Sequence, residues 1–415
     1  GFNNPFWLLN ELSNEDYKHW FMGNVTLNVT FTNYLKLRLR AATDMQTTRA
    51  WAFTNYNSPW DTDGEYNVRN RIAMNNNYEG ILMYNQRFGD VSINANLGLS
   101  HQQIKSEQTD SKVNQLLKAD FMSLANNAGN PTTSEGESNK WKEAVFGMLS
   151  VGYKGAYLDL TARNEWSSAL PIDNCSYFYY SAGAGLVFTD MIEIDKNILS
   201  FAKLRGSFAQ VGQAGQYYKT YYTQPGYGGG FYQYTPVAYP LPSGVSSYAP
   251  SSTFYDENLK PQNTANWEVG TDLQFFGGRI KAEYTYSLQN VTDQIFAVPV
   301  DATTGYSQML TNAGKMQTKS HELSLNFAIL QAKDYDLNLG INFTRISNKV
   351  IELAPGVESI MLGGFVEPQI RAQAGCNYPN IYGNAFKRDE AGNLLLLDGL
   401  PQVSGAMQDL GNCAP

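Results

Sequence analysis

The sequence predicts an all-β protein, a large antiparallel transmembrane β-barrel, of which this chain supplies a part. Three observations lead to this prediction. Apolar and polar residues alternate over long segments, short turns join these segments in pairs, and long irregular connections separate the pairs. Because successive side chains of a strand point to opposite faces, such alternation gives each strand one apolar and one polar face.

The segment 267–296 shows the pattern most clearly. Two alternating runs are separated by Gly277-Gly278, a dipeptide that favours a tight hairpin turn. The first run places Trp267 and Val269 on one face and Glu268 and Asp272 on the other. Apolar residues toward lipid and polar residues toward a wet interior are typical of membrane barrel strands. A soluble sandwich shows the same alternation, so this hairpin alone leaves both fold classes open.

Further hairpins follow the same rule along the chain. We predict them at 22–43 with a turn near 32–34, at 78–102 with a turn at Gly89-Asp90, at 143–166 with a turn at Lys154-Gly155, at about 178–211 with a turn within 193–198, and at 319–346 with a turn within 331–336. The stretch after residue 43 lacks clear periodicity for some thirty-five residues, and the segment 116–125 is compatible with a short helix.

The rhythm of these elements favours the barrel over a sandwich. The hairpins amount to about twelve strands with short turns at one end and long loops at the other, as outer-membrane barrels place short turns in the periplasm and long loops outside. A strand of about 11 residues, rising ~3.3 Å per residue and tilted by ~40°, spans about 28 Å. Sandwich strands are usually only about five or six residues long.

Composition excludes several classes of protein. The chain has 415 residues with a net charge of −8 and no basic run, so no nucleic-acid partner is predicted. No apolar run approaches the ~18 residues of a membrane-spanning helix. Cys175, Cys376 and Cys413 stand far apart and give no zinc or redox spacing. We predict no metal and no cofactor, and we expect the chain to be an internal portion of a longer polypeptide.

Catalysis finds little support in the sequence. His19, His101 and His321 lie in separate segments, and none accompanies a recognisable nucleophile motif. We therefore predict no catalytic residue and no enzyme. The run Asp61–Glu65 (DTDGE) faintly resembles a calcium loop, but it lacks the spacing of one, and Asp-Gly is ordinary turn chemistry.

Several segments resemble one known family. They are NNPFWLLNE, VTFTNYLKLRLRAATD, ARNEWSSALP, LRGSFAQVGQ, ENLKPQNTANWEVGTDLQFFGGRI, DQIFAVPVDATTGYSQMLTNAGKMQTKSHELSLN and IYGNAFKRDEAGNLLLLDG, in this order along the chain. Together they resemble the barrel of the SusC/RagA-type TonB-dependent transporters of Bacteroidetes. The most telling are Arg163–Pro171 and Thr303–Gly314.

The resemblance implies an outer-membrane importer with a plugged barrel of roughly 22 strands. Residues 1–415 would form the central part of that barrel, without its plug, its N-terminal extension or its last strands. The implied partners are a SusD-like surface lipoprotein, the TonB complex acting through a segment absent from this sequence, an oligosaccharide or peptide substrate, and outer-membrane lipid.

A tyrosine-rich stretch, residues 212–263, is the first candidate site. Tyrosine combines a flat apolar ring with a hydroxyl, which suits sugar rings, peptide backbones and protein interfaces. Contact with a lid partner and self-packing within the loop are the leading interpretations, and direct substrate contact is a third. The candidate residues are Tyr217, Tyr218, Tyr221, Tyr222, Tyr227, Phe231, Tyr232, Tyr234 and Tyr239.

Charged residues on the polar faces of the strands form the second candidate set. They are expected to face the barrel lumen. In one interpretation they line a transport path, whereas the favoured interpretation is structural, since polar walls pair with one another or with a plug. They are Lys36, Arg38, Arg40, Arg163, Glu268, Asp272, Lys281, Glu283 and Glu322.

Import of oligosaccharides or peptides across the outer membrane is the function predicted from these observations. Two alternatives stay open at this point. One is a soluble or surface-anchored all-β carbohydrate-binding or adhesion module that uses the same tyrosine-rich loop. The other is a siderophore-type receptor barrel, which the absence of histidine clusters does not favour.

Overall fold

An antiparallel sheet of twelve strands dominates the computed structural model, which describes residues 4–58, 62–215, 224–225, 248–249 and 252–412. Hydrogen-bonded neighbours in this sheet follow chain order. The strands are β1 Leu12–Thr30, β2 Leu35–Thr54, β3 Glu65–Phe88, β4 Val91–Val113, β5 Thr132–Tyr153, β6 Ala156–Ser167, β7 Ser176–Val187, β8 Leu199–Gln213, β9 Gln262–Phe275, β10 Ile280–Thr292, β11 Lys315–Gln331 and β12 Asp336–Glu352. The predicted fold class is confirmed.

All six predicted hairpins are present, and their turns lie where the sequence places them. Several strands are longer than predicted. For example, β2 includes residues 44–54 and β3 includes residues 65–77. Over this length polar residues occupy both faces, as in the run Asn75–Asn77. The backbone ladder between β2 and β3 nevertheless continues without a break from Leu35–Tyr84 to Thr54–Glu65. Alternation disappears there, but hydrogen bonding does not.

The segment 116–125 is not helical, so the possible short helix is wrong. This loop is organised by Asn126, whose side-chain oxygen accepts hydrogen bonds from the backbone nitrogens of Leu117 and Lys118, at 2.9 Å each. The amide nitrogen of Asn126 donates to the carbonyls of Lys118 and Phe121. One buried side chain therefore satisfies the backbone groups that a helix would have paired internally.

The chain divides into two compact units. The first comprises Gly1–Asn85, Asn96–Gly147 and Glu165–Ser168. Its apolar core lies where β2 ends, β3 begins and β4 ends, together with the described residues of the adjoining loops. The core residues are Phe53, Tyr66, Val68, Val113 and Leu116, with Trp51, Tyr56 and Leu124 packed against them. Tyr56 supports this core by donating its hydroxyl hydrogen to the carbonyl of Leu116.

The second unit comprises Gln86–Ala95, Met148–Asn164 and Ala169–Pro415. Its two apolar clusters also lie in the long connections. The smaller elements of the chain are the helices Pro5–Glu11 and Phe188–Met191, the 3-10 turns Ile172–Asn174 and Ala302–Thr304, and the short strands Gln224–Pro225, Tyr248–Ala249, Thr253–Tyr255, Ile295–Pro299, Gln308–Asn312, Ser359–Gly364, Gln369–Gln373, Asn380–Phe386, Leu396–Leu397, Leu400–Pro401 and Val403–Asn412.

Large apolar side chains on the long strands are exposed rather than buried. Val25 is 74% exposed, Leu99 is 61% exposed and Phe343 is 55% exposed. Exposed apolar rows of this length indicate a face that meets another apolar phase. Among the described residues, no helix combines the length and the apolar character that crossing a bilayer requires.

Gly98 is needed for packing on the polar face of β4. A Cβ atom at this position would lie 2.2 Å from Cζ of Phe146, whose ring covers the glycine. We expect Gly98→Ala to destabilise the protein by about 1–3 kcal/mol, because the ring must leave its position. The temperature at which the folded band is lost in heat-modifiability gels measures this change.

A second substitution makes this test specific. Gly98→Ala combined with Phe146→Leu is expected to recover part of the loss, since the smaller side chain leaves room for the new methyl group. Gly136→Ala is the matched control, because nothing lies within 4 Å of a Cβ placed there. Equal transition temperatures for Gly98→Ala and Gly136→Ala would contradict the packing argument.

Candidate functional site

The charged residues predicted from the sequence share the polar face of the strands. In the second unit, Asp272 is paired across the ladder with Lys203 and with Glu283. Glu268 is paired with Ser207 and Ser287. The other predicted members occupy equivalent registers: Lys281 is opposite Gln274 and Asn326, and Glu322 is opposite Thr285 and Thr344.

The remaining predicted members lie in the other strands. Lys36, Arg38 and Arg40 alternate along β2 and are paired with Thr30, Asn28 and Thr26 of β1. Arg38 Nε donates to the side-chain oxygen of Asn28 at 3.3 Å. Arg163 lies in β6 and interacts with at least one other residue. The structure therefore groups the predicted residues by face, and their role toward a lumen stays a prediction.

A recess of about 410 Å³ opens on the polar face of β6–β9. Glycines form its floor, because Gly183 and Gly185 occupy positions where a side chain would otherwise fill the space. Charged and polar side chains line it: Tyr157, Asp159, Lys203, Arg205, Ser207 and Glu268. Two cations and two carboxylates therefore border one recess. This suits a zwitterionic or polar contact surface better than a site for a single charge.

Arg205 organises this part of the polar face. Its guanidinium donates to the Thr285 hydroxyl at 2.6 Å and lies 3.7 Å from the Asp272 carboxylate. Gly270 makes the approach possible, since a Cβ there would be 2.8 Å from Cζ of Arg205. Asp272 and Glu283 are cross-strand neighbours of like charge, which is unfavourable. The cation of Arg205 offsets this repulsion.

Sequence reasoning missed Lys203, Arg205 and Asp159 as members of this site. The signal was present, because Lys203, Arg205 and Ser207 alternate with Leu204, Gly206 and Phe208. The glycines that create the recess cannot be recognised without the register of neighbouring strands.

Three short strands from the long connections form a small sheet, which we call the loop platform. It consists of Thr253–Tyr255, Gln308–Asn312 and Ile295–Pro299, with the middle strand parallel to the first and antiparallel to the third. Beneath it lies an apolar cluster of Ala169, Leu170, Tyr177, Ala214, Leu259 and Leu310, flanked by Cys175, Tyr179, Tyr255, Ile295 and Ala297. The platform therefore joins three long connections through one core.

Asn312 ties the platform together with its side chain. Its oxygen accepts a hydrogen bond from the Lys260 nitrogen at 2.8 Å, and its nitrogen donates to the carbonyls of Lys260 and Asp293. Lys260 also forms an ion pair with Asp293 at 3.0 Å. The Thr311 hydroxyl donates to the Asp256 carboxylate at 2.7 Å. These bonds hold the stem 256–260 against the neighbouring connection.

The platform holds both stems of the tyrosine-rich stretch. On the first stem Ala214 is buried, and Gly215 has a φ of +66°. A Cβ at Gly215 would lie 2.6 Å from Cδ1 of Ile295, so this position requires glycine on both grounds. On the second stem Leu259 is fully buried. The candidates Tyr217, Tyr218, Tyr221, Tyr222, Tyr227, Phe231, Tyr232, Tyr234 and Tyr239 lie outside the described residues.

Two loop carboxylates have shifted pKa values that a turn explains. Hydrogen bonds from the side chain and backbone of Thr303 lower the pKa of Asp301. Hydrogen bonds from the side chain and backbone of Asn393 lower the pKa of Asp389 in the same way. Both carboxylates therefore stay ionised near neutral pH and cap turns. Neither lies in the recess.

The described cysteines and the described part of the DTDGE run form no metal site. Burial raises the pKa of the Cys376 thiol, and its hydrogen bond with Asp409 adds to the shift. Cys376 and Cys175 are both free, and Cys413 and Asp61 lie outside the described residues. Glu65 instead forms an ion pair with Lys112 at 2.7 Å. Among the residues the structure describes, no three His, Cys, Asp or Glu side chains form a group suited to a metal ion.

A comparison with protein families identifies the fold's relatives. The family described as "TonB dependent receptor-like, beta-barrel" matches residues 2–387. The chain belongs to this family. It is therefore part of an outer-membrane β-barrel protein, in a family of receptors and transporters rather than enzymes. This membership decides against the soluble-module alternative.

Known TonB-dependent receptors are similar to the chain over much of its length. TonB-dependent receptor P3 of Formosa agariphila is 23% identical over 363 residues, which are 85% of this chain and 35% of the relative. TonB-dependent receptor SusC of Bacteroides thetaiotaomicron is 26% identical over 227 residues, which are 52% of this chain and 21% of the relative. These matches and the family model confirm the predicted SusC/RagA-type resemblance.

A solved structure shows the same fold. The RagAB peptide transporter matches with a TM-score of 0.82 at 18% identity, over 98% of this chain and 46% of the transporter chain. The chain thus spans about a third or less of the curated relatives above and under half of this solved chain.

Removing the Arg205 charge tests the electrostatics of the polar face. We expect Arg205→Gln to destabilise the receptor by about 1 kcal/mol, because Asp272 and Glu283 then face each other without the guanidinium that lies 3.7 Å from Asp272. Asp272→Asn in the same background should restore part of the stability. Heat-modifiability of the complete receptor measures both changes, with Arg38→Gln as an exposed control. No recovery in the double variant would contradict the assignment.

Truncating Leu259 tests whether the platform holds the tyrosine-rich stretch. Leu259→Ala leaves a cavity in the cluster, which typically costs about 2–5 kcal/mol in a packed core. We expect trypsin to cut after Lys219 at least about tenfold faster, because local opening becomes easier. Leu400→Ala, at a position 72% exposed, is the control. Identical cleavage rates in the two variants would show that Leu259 does not anchor the stem.

Proposed function

We propose that the transporter to which this chain belongs imports oligosaccharides or peptides across the outer membrane in a TonB-dependent manner. The loop platform is the observation that carries this proposal. It fixes both stems of a tyrosine-rich stretch, through Gly215 and Leu259, at the long-loop end of the strands. A stretch rich in aromatic residues on a rigid base is suited to hold cargo or a protein partner.

A SusD-like surface lipoprotein is the partner that we propose for this stretch. The resemblance to SusC/RagA-type transporters supports a lid of this kind, and tyrosine is favoured at protein interfaces because its ring gives large contact area at low ordering cost. In this scheme the lid and the tyrosine-rich stretch enclose cargo together. In the same scheme the TonB complex would act on the plug of that transporter.

The polar face would then serve the path of the cargo or the seat of the plug. Balanced charge around the recess, with Lys203 and Arg205 near Asp159 and Glu268, gives no strong field of either sign. That balance suits neutral oligosaccharides and zwitterionic peptides better than polyanions. Peptide import is the described activity of the RagAB transporter, which supports peptides as one of the two cargo classes.

Replacing tyrosines in the stretch tests this proposal. We expect the combined change of Tyr217, Tyr218, Tyr221 and Tyr222 to Ser in the complete transporter to reduce uptake of its cargo at least about tenfold, since stacking contributes roughly 1 kcal/mol or more per ring. Growth on defined oligosaccharides and on peptides as sole nutrients, with the same strain, measures uptake and separates the two cargo classes.

Co-purification supplies the second readout of this experiment. Loss of the lipoprotein from the purified complex would assign the stretch to the lid interface, whereas retained lipoprotein with lost uptake would assign it to cargo. Tyr335→Ser, at an exposed tyrosine in the short turn 332–335, is the control. Unchanged growth on both nutrients with the lipoprotein still bound would overturn the proposed role.

A further inference from the structure

Basic side chains gather on the apolar face of β11 and β12. His321 is paired across the ladder with Arg345, and Lys319 stands two residues from His321 on the same strand. All three therefore project from the same face, within reach of one ligand. The Tyr284 hydroxyl lies 2.9 Å from Nδ1 of His321. The Tyr286 ring, on the same neighbouring strand as Tyr284, has its centroid 5.0 Å from that of the His321 ring.

Apolar rows begin directly beside this basic cluster. Leu323 is paired with Phe343, and the pairs continue with Leu325 and Ile341 toward the short turn. Phe343 is 55% exposed, so these rows face outward from the sheet. Since the chain is part of an outer-membrane barrel, such rows meet the hydrocarbon of the bilayer.

The basic cluster lies at the outer limit of that hydrocarbon. His321 stands about ten residues from the short-turn end of β11 at Gln331. At ~3.3 Å per residue and a tilt of ~40°, this length corresponds to about 25 Å, which is the height of the apolar band. Short turns lie in the periplasm in such barrels, so the cluster reaches the head groups of the outer leaflet.

The two permanent cations of this cluster lack acidic partners. Some basic residues elsewhere on the strands do have such a partner, as Arg69 has in Asp110 at 2.6 Å. Over the described part of the chain, no carboxylate forms an ion pair with Lys319 or Arg345, and both side chains are exposed. Unpaired cations at the edge of a hydrocarbon layer are stabilised by anionic head groups.

We propose that Lys319, His321 and Arg345 bind the phosphate group of an outer-leaflet lipid. Arg345 and Lys319 supply charge, and Arg345 can also donate two parallel hydrogen bonds to phosphate oxygens. The Tyr284 hydroxyl orients His321 at the centre of the cluster. The acyl chains of the lipid lie along Leu323 and Phe343. This site is independent of the cargo and of the lid.

Lipid retention by the complete transporter tests the site. The protein is reconstituted in phosphatidylcholine nanodiscs with a minor fraction of diphosphorylated lipid A, and bound lipid is counted by native mass spectrometry. We expect Lys319→Gln and Arg345→Gln each to lower retention about fivefold, as loss of one charge near a lipid surface predicts. Lys18→Gln with Lys105→Gln is the control for an equal total change of charge, because both lysines have carboxylate partners.

Two further arms decide the chemistry. Dephosphorylated lipid A should be retained no better by the unaltered protein than by the double variant Lys319→Gln/Arg345→Gln. Inorganic phosphate at millimolar concentration should not displace the lipid, because the acyl chains hold it. Equal retention with and without lipid phosphate, retention unchanged by the double variant, or displacement by inorganic phosphate would each overturn the proposal. Heat-modifiability of each variant checks that the barrel is folded.

Discussion

The requirement that every backbone polar group in the hydrocarbon layer finds a partner governs this protein. No water is available there, and an unsatisfied N–H or C=O costs several kcal/mol. The ladders meet this requirement continuously, as β1 and β2 pair from Leu12–Thr54 to Thr30–Lys36 and β9 pairs along its length with β8 and β10. Because the backbone supplies this stability, the side chains need only alternate. A mean hydropathy of −0.37 is therefore compatible with a membrane protein.

Specific packing lies instead in the long connections. Leu259, Val113 and Leu116, among the most buried apolar side chains, belong to or border loops rather than the middle of strands. The segments that carry the family resemblance follow this division: Ala169 and Leu170 fall in SALP, Leu259 in ENLKP, and Leu310 and Asn312 in QMLTNAG. Side chains that contact lipid need only be apolar, whereas side chains in the core of a loop must have particular shapes and form particular hydrogen bonds. Several of the recognisable residues therefore belong to the loop platform or to the apolar cluster beneath it.

The sequence predicted the sheet better than its extent and better than the site. Alternation with Gly277-Gly278 and Lys154-Gly155 between the runs placed the hairpins, since period and turn chemistry are local properties. Residues 44–54 of β2 and 65–77 of β3 were not predicted as strands, because Asn75–Asn77 and their partners are polar on both faces. The conformation of the segment 116–125 depends on hydrogen bonds from the side chain of Asn126, and local helix propensity does not include such bonds. The recess around Arg205 depends on Gly270, a residue on another strand that only the register brings beneath the guanidinium.

The double anchoring of the tyrosine-rich stretch also bears on how such proteins diversify. Asn312 and Leu259 hold one stem in place, and Ala214 and Gly215 hold the other. The segment between them therefore has fixed ends. The entropy of closing a loop changes only slowly with its length, by about 0.6 kcal/mol per doubling. We therefore expect insertions, deletions or replacement of the segment between these two anchors to leave the surrounding fold unchanged. The sequence of this segment, and with it the ligand or partner that it binds, can therefore change during evolution while the fold is retained.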